Sequence, residues 1–148
     1  MRLYAAWALK RIPAPLMADG QPKAEENPAG SKAWTEQINQ EFIETIERYL
    51  PKQPRGIFTV KDEKLNKAWD LKLVKVRRKR VVHLGDQRFF ACVDFKTVEK
   101  GKEDKVDLDF YAAKTEGVWK FTQILIHKVN GRPRYTYDDK NERVPAAD

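Results

Sequence analysis

The chain carries a single cysteine, Cys92, in 148 residues, so no intrachain disulfide can form. With only His83 and His127 as imidazoles, no Cys/His spacing of the kind that builds a zinc site is present. Neither metal nor cofactor is expected on these grounds. The lone thiol fits a reducing cytosol and a periplasm alike. Apolar runs are short, none approaching the ~20 residues of a membrane-spanning helix. Acidic residues are outnumbered, 22 against 29 basic ones, for a net charge of +7. Six of the cations, Lys72, Lys75, Arg77, Arg78, Lys79 and Arg80, fall in one stretch without an acid; setting them aside leaves the rest at +1. Such a distribution describes one local basic feature rather than a chain built to coat nucleic acid.

What the sequence does contain is a single domain's worth of patterned chain, expected over 31–140, with a flexible segment at 1–30 and a disordered tail at 141–148. The segment 1–30 opens with an apolar run, Leu3 to Leu9, broken by Lys10, Arg11 and two prolines. The interruption weakens it as an export signal, and the localisation is expected to be cytoplasmic, or periplasmic if a degenerate signal operates. From Ser31, the positions Trp34, Ile38, Phe42, Ile46 and Tyr49 recur at helical spacing, predicting an amphipathic helix over 32–50. Ser31 is the expected N-cap, and Pro51 with Pro54 ends the helix.

Everything beyond reads as strands: 56–60, 69–76, 81–84, 88–98, 105–113, 118–129 and an edge strand within 132–137, with turn signals at Gly85-Asp86, Glu116-Gly117 and Asn130-Gly131. The basic residues 77–80 are expected at a turn between two of these strands. Symmetric closure of the loop 99–104 pairs Val93 with Phe110 and Phe95 with Leu108 on one face, and sets Asp94 against Asp109 and Lys96 against Asp107 on the other. A similar closure at 114–117 sets Phe110 beside Phe121 and Ala112 beside Trp119. One face then presents Val93, Phe95, Leu108, Phe110, Phe121, Leu125 and Val129 to the helix. Strict alternation also puts His127 on that covered face, away from Asp94, Asp109 and Tyr111.

The order of one long helix followed by a curved antiparallel meander of about five to six strands is α+β, and it resembles the cystatin-like superfamily, including nuclear-transport-factor-2-like proteins. The resemblance covers roughly 31–137. It implies a helix packed on a curved sheet, with catalytic members of similar fold holding proton-moving groups between the two. No residue here matches those members' catalytic motifs one by one, so none is carried over.

Three functional readings follow. The first is a soluble bacterial protein acting as a non-enzymatic binding or interaction module, with a small molecule or a protein as ligand. The second is a small-molecule binder or proton-transfer enzyme using a helix–sheet cavity, with His127 as the candidate catalytic group because imidazole titrates near neutrality. The third is anion or nucleic-acid contact through Arg77, Arg78, Lys79 and Arg80. Nucleic acid is not favoured, because the helix is acidic and no aromatic residues flank the cluster for stacking. Trp119, Tyr135 and Tyr137 are the aromatic candidates for ligand contact, although the two tyrosines better suit sealing the sheet edge, with Pro133 blunting further pairing. Homodimerisation is expected, if at all, through the sheet face bearing Cys92, Tyr111, Ile124 and Ile126.

Overall fold

A computed structural model describes residues 27–99 and 101–146, together with the backbone of 11–13. Helix α1 spans Lys32–Tyr49. Its first turn is capped by Ser31, whose hydroxyl accepts from the Trp34 amide at 3.1 Å, so one otherwise orphaned helical N–H is satisfied by the residue the sequence marked for it. Beyond Tyr49, Pro51 and Pro54 each sit in a short 3-10 turn, and the chain turns into its strands.

The strands are β1 (Arg11–Pro13), β2 (Phe58–Asp62), β3 (Lys67–Gly85), β4 (Arg88–Thr97), β5 (Lys105–Thr115), β6 (Val118–Val129), β7 (Arg132–Pro133), β8 (Tyr135–Tyr137) and β9 (Arg143–Pro145). Seven form one sheet in the order β1-β6-β5-β4-β3-β2, with β7 on the remaining stretch of β6, while β8 and β9 pair separately. All these pairings are antiparallel. The architecture is α+β, one helix packed on a sheet. Two segments expected to be unstructured contribute strands: β1 lies within 1–30 and β9 within 141–148.

Several local expectations are corrected. Residues 77–80 form no hairpin turn, because β3 continues through them. Val76 pairs with Val93 and Val81 with Ala91, so four residues of β3 bulge out against the single Cys92 of β4. The sequence signal, a charged run between apolar ones, cannot distinguish a wide bulge from a turn. Between β4 and β5 the register is two residues from that expected: Val93 faces Leu108, Phe95 faces Val106, Asp94 faces Asp107, Cys92 faces Asp109 and Lys96 faces Lys105. A shift of two preserves which face each side chain occupies, and Val93, Phe95, Leu108 and Phe110 are all buried in the core.

The consequential correction is in β6. Lys128 pairs with Asp107 but Ile126 with Leu108, and Gln123 pairs with Tyr111 but Phe121 with Ala112. His127 and Thr122 are therefore extra residues, and each bulge reverses the alternation. Trp119 and Phe121 point to the helix; after the first bulge Ile124 and Ile126 do so, and after the second Val129. Phe110 thus lies opposite Ile124 rather than Phe121, and Lys114 rather than Ala112 lies opposite Trp119. Leu125, paired with Asp109, and His127 belong to the outer face. For the same reason Ile124 and Ile126 leave the surface expected for dimerisation.

Between helix and sheet the space is filled by rings. Phe42 stacks on Trp119 with centroids 5.1 Å apart and planes 6° from parallel, Tyr49 meets Phe121 edge-on at 5.1 Å, and Phe110 meets Phe121 at 5.5 Å. Phe58 of β2 reaches both Phe95 and Phe110, at 5.7 and 5.8 Å, which requires the sheet to curl so that its edge strand folds over its middle. Trp119, expected as a ligand contact, is fully buried here.

One polar pair is sealed in this core. Glu41, three residues after Ile38 and so on the buried stripe, accepts from Lys114 Nζ at 2.8 Å and from Trp119 Nε1 at 3.2 Å, and neither charged side chain is more than 6% exposed. Removing one partner strands a charge without water, which costs roughly 3–5 kcal/mol, whereas the surface pair Arg78–Glu47 at 2.5 Å contributes about 0–1 kcal/mol. Lys114→Ala is therefore expected to lower the urea midpoint strongly and Arg78→Ala hardly at all. The Glu41→Leu/Lys114→Met double variant should recover part of the loss, the rest being the Trp119 N–H left without its acceptor; equal effects of the two single changes would contradict this ranking.

Candidate site beneath the C-terminal hairpin

The outer face of β4 and β5 is buried as well, by the chain's own C-terminus. Pro133 ends the short β7, and the Arg134 amide bonds to the His127 carbonyl at 2.7 Å, turning the chain away from the sheet edge. Tyr135 and Tyr137 then cross the outer face: Phe90, Tyr111 and Tyr137 form a stack, with centroids 4.8 Å apart for Phe90–Tyr111 and 5.0 Å for Phe90–Tyr137. These tyrosines cover the sheet instead of closing its edge, and the face expected to meet a second copy is occupied within the chain.

At the centre lies Asp109, fully buried. Its Oδ1 accepts from the Cys92 thiol at 2.9 Å and stands 3.7 Å from His127 Nδ1. Its Oδ2 accepts from the hydroxyls of Tyr135, at 2.6 Å, and of Tyr137. Cys92 Sγ and His127 Nδ1 are 3.6 Å apart. The His127 ring is flanked by Tyr135 and Tyr137, with centroids at 4.9 and 5.2 Å. Three strands, β4, β5 and β6, thus bring a thiol, a carboxylate and an imidazole together under two phenols.

Electrostatics follow from burial. Desolvation pushes the Asp109 carboxyl above its ordinary range, against the opposing effect of its Cys92 and Tyr135 donors. It also pushes the Cys92 thiol well up, reinforced by the Asp109 charge, and lowers His127 below its usual value despite Asp109. A thiol held protonated is a poor nucleophile, so the trio as it stands is a hydrogen-bonded store of donors rather than an activated cysteine.

The hairpin is anchored by a third buried acid. Arg134 makes a two-pronged contact with Asp62, 2.8 Å to each oxygen, and Asp62 also accepts from Trp69 Nε1 at 2.9 Å and from the amides of Lys64 and Leu65. Above Tyr111 and Tyr135 lies the Arg143 guanidinium, 5.0 and 6.0 Å from the two ring centroids. Beside it, a groove of about 590 Å³ opens between the outer face and the β8–β9 turn, with Arg88, Tyr111, Gln123, Lys140, Glu142 and Arg143 among its walls.

Of the candidates read from the sequence, His127, Tyr135 and Tyr137 are brought together. The basic cluster is elsewhere: Arg77 bonds Asp94 at 2.9 Å and reaches Asp107 at 3.9 Å, while Lys79 and Arg80 are exposed. Arg77 is thus the cation that separates the cross-strand acids Asp94 and Asp107. Cys92 and Asp109 were not paired with His127 beforehand, although Gln123 carries a usable signal: uninterrupted alternation from Phe121 would bury its amide in the apolar core, so the strand must slip near it. No family model, no curated protein and no solved structure matches this chain.

The Asp62 anchor should be visible in acid. Burial works to raise its pKa, but Arg134, Trp69 and the Leu65 amide outweigh that and bring it from 3.8 to about 2. A depressed carboxyl contributes stability that is full above 3.8 and is lost as pH falls through about 2, here on the order of 2 kcal/mol. Denaturant midpoints measured down that pH range should fall for the wild-type chain. They should fall less for Arg134→Met, which starts lower; parallel curves would remove the assignment.

Proposed function

We propose that the chain is a non-enzymatic binding module whose ligand occupies the groove beside Arg143, and that the ligand is a small anion with a flat apolar portion. The volume of about 590 Å³ lies within the range of small-molecule sites, about 300–1,000 Å³. The carrying observation is the lining: Arg88, Lys140 and Arg143 against the single acid Glu142, with the Arg143 guanidinium over the Tyr111 ring. Cations on the rim attract an anion and orient it through charge-assisted bonds, while Tyr111 and Leu84 supply apolar surface for the rest. The order of one helix followed by an antiparallel meander is in keeping with membership of the cystatin-like superfamily, whose simpler members bind rather than catalyse.

Two observations weigh against the proton-transfer reading. His127, its expected base, lies on the face away from the helix, and the helix–sheet space is occupied by the Phe42–Trp119 stack and its neighbours. The anion reading through Arg77–Arg80 is weakened because Arg77 and Arg78 already hold carboxylates.

Titration with naphthalene-2-sulfonate, followed by amide chemical shifts, tests the proposal. Shifts should concentrate at Gln123 and 140–143. Arg143→Gln should weaken binding by about tenfold or more, the scale of one charge-assisted contact, and Lys79→Gln should leave it unchanged. Equal affinity in Arg143→Gln and wild type, or shifts centred on 77–80, would overturn the groove as the site.

A further inference from the structure

The geometry points to a divalent metal site of the zinc type at Cys92 Sγ, Asp109 Oδ1 and His127 Nδ1, separate from the groove and independent of its ligand. These three atoms, from three adjacent strands, all lie within 4.8 Å of one another.

The distances are close to those a metal would ask for. Zinc bonds of roughly 2.0–2.3 Å at tetrahedral angles set neighbouring ligand atoms roughly 3.3–3.6 Å apart, the nitrogen–oxygen edge being the shortest. Here Sγ···Nδ1 is 3.6 Å, an edge already in place, and Nδ1···Oδ1 is 3.7 Å, which closes by roughly 0.4 Å on binding. The third, Sγ···Oδ1, is 2.9 Å because the thiol proton lies along it. Replacing that proton by a cation opens the edge to roughly 3.6 Å, a movement within the reach of the Cys92 side chain.

The chemistry of the donor set agrees. One thiolate, one imidazole and one carboxylate suit a borderline-soft ion such as Zn²⁺ or Co²⁺ and do not suit Mg²⁺ or Ca²⁺, which take oxygen ligands. A dication with Cys92 thiolate and Asp109 carboxylate is electrically neutral as a unit, which matters in a site from which water is largely excluded. Binding forms a metal–sulfur bond in place of the S–H bond, and the released proton passes to solvent. Three protein ligands leave one coordination position for water, the pattern of an open rather than a closed zinc site.

The surroundings are also those of a ligand shell. Asp109 is free to ligate through Oδ1 alone, because Oδ2 is engaged by Tyr135 at 2.6 Å and by Tyr137. The His127 ring is held between the rings of Tyr135 and Tyr137, with centroids at 4.9 and 5.2 Å. Outer partners of this kind orient metal ligands and typically govern 10–100-fold of affinity.

Cobalt(II) titration of chelator-treated full-length protein supplies the test. The expected result is visible absorption of four-coordinate cobalt together with a near-ultraviolet sulfur-to-cobalt charge-transfer band, both abolished by Zn²⁺. Cys92→Ser should lose the near-ultraviolet band, His127→Gln should lose most of the affinity, and Tyr135→Phe should keep the band while weakening binding about 10–100-fold. Zn²⁺ should also slow alkylation of Cys92 in the wild-type protein, a readout that needs no variant to fold. Absence of the band in folded wild-type protein at excess cobalt, its persistence in Cys92→Ser, or an alkylation rate indifferent to Zn²⁺ would each overturn the site. Lys79→Gln, remote from both, should leave cobalt binding in place, and the naphthalene-2-sulfonate titration run without metal separates failure here from failure of the groove.

Discussion

Two extra residues in β6 determine what this protein can present. From Ala113 to Val106, β5 is matched by β6 from Lys120 to Val129, and the surplus is taken up by bulges at Thr122 and His127. Each bulge interrupts ladder bonding, but strict alternation would bury an imidazole and a glutamine amide against phenylalanines, and an unpartnered buried polar group costs more than a displaced ladder bond returns. The bulges resolve the conflict by sending Ile124 and Ile126 to the helix and His127 to the side where Asp109 and Cys92 already lie.

The sheet consequently separates two interiors of different character. Toward the helix it is a ring-filled apolar core with one enclosed ion pair; outward it is a smaller layer of phenols, a thiol, an imidazole and a carboxylate. Each of the three acids buried among the described residues is satisfied from a distant part of the chain: Glu41 by Lys114, Asp62 by Arg134, Asp109 by Tyr135 and Tyr137. Buried carboxylates tolerate few arrangements of their donors. These three contacts therefore do more to fix the relative placement of helix, sheet and C-terminal hairpin than the non-directional aromatic contacts beside them.

The sequence made the coarse plan legible because its signals were local. Ser31, the Trp34-to-Tyr49 spacing and Pro51 marked the helix, and alternation in β4 and β5 marked the core face despite a register two residues off. What escaped was everything that depends on slip between strands. The basic run at 77–80 looked like a turn because charge density is common to turns and exposed bulges. His127 was placed on the wrong face because parity propagates an error along the whole strand once a single residue is skipped. Residues 35 and 17 positions apart along the chain, His127 and Asp109 from Cys92, carry no spacing motif at all. Alternation puts Tyr135 and Tyr137 on one side of an extended segment, but nothing in it reveals that the segment leaves the edge and crosses the sheet.

The hairpin of β8 and β9 has three residue pairs and is tied to the body by the Arg134 clamp and a few phenol contacts. A flap of that size parts from its support at a lower free energy than any strand beneath it. When it lifts, solvent reaches Asp109 and hydrates the charge that burial disfavoured, so the raised state is partly compensated for the contacts it gives up.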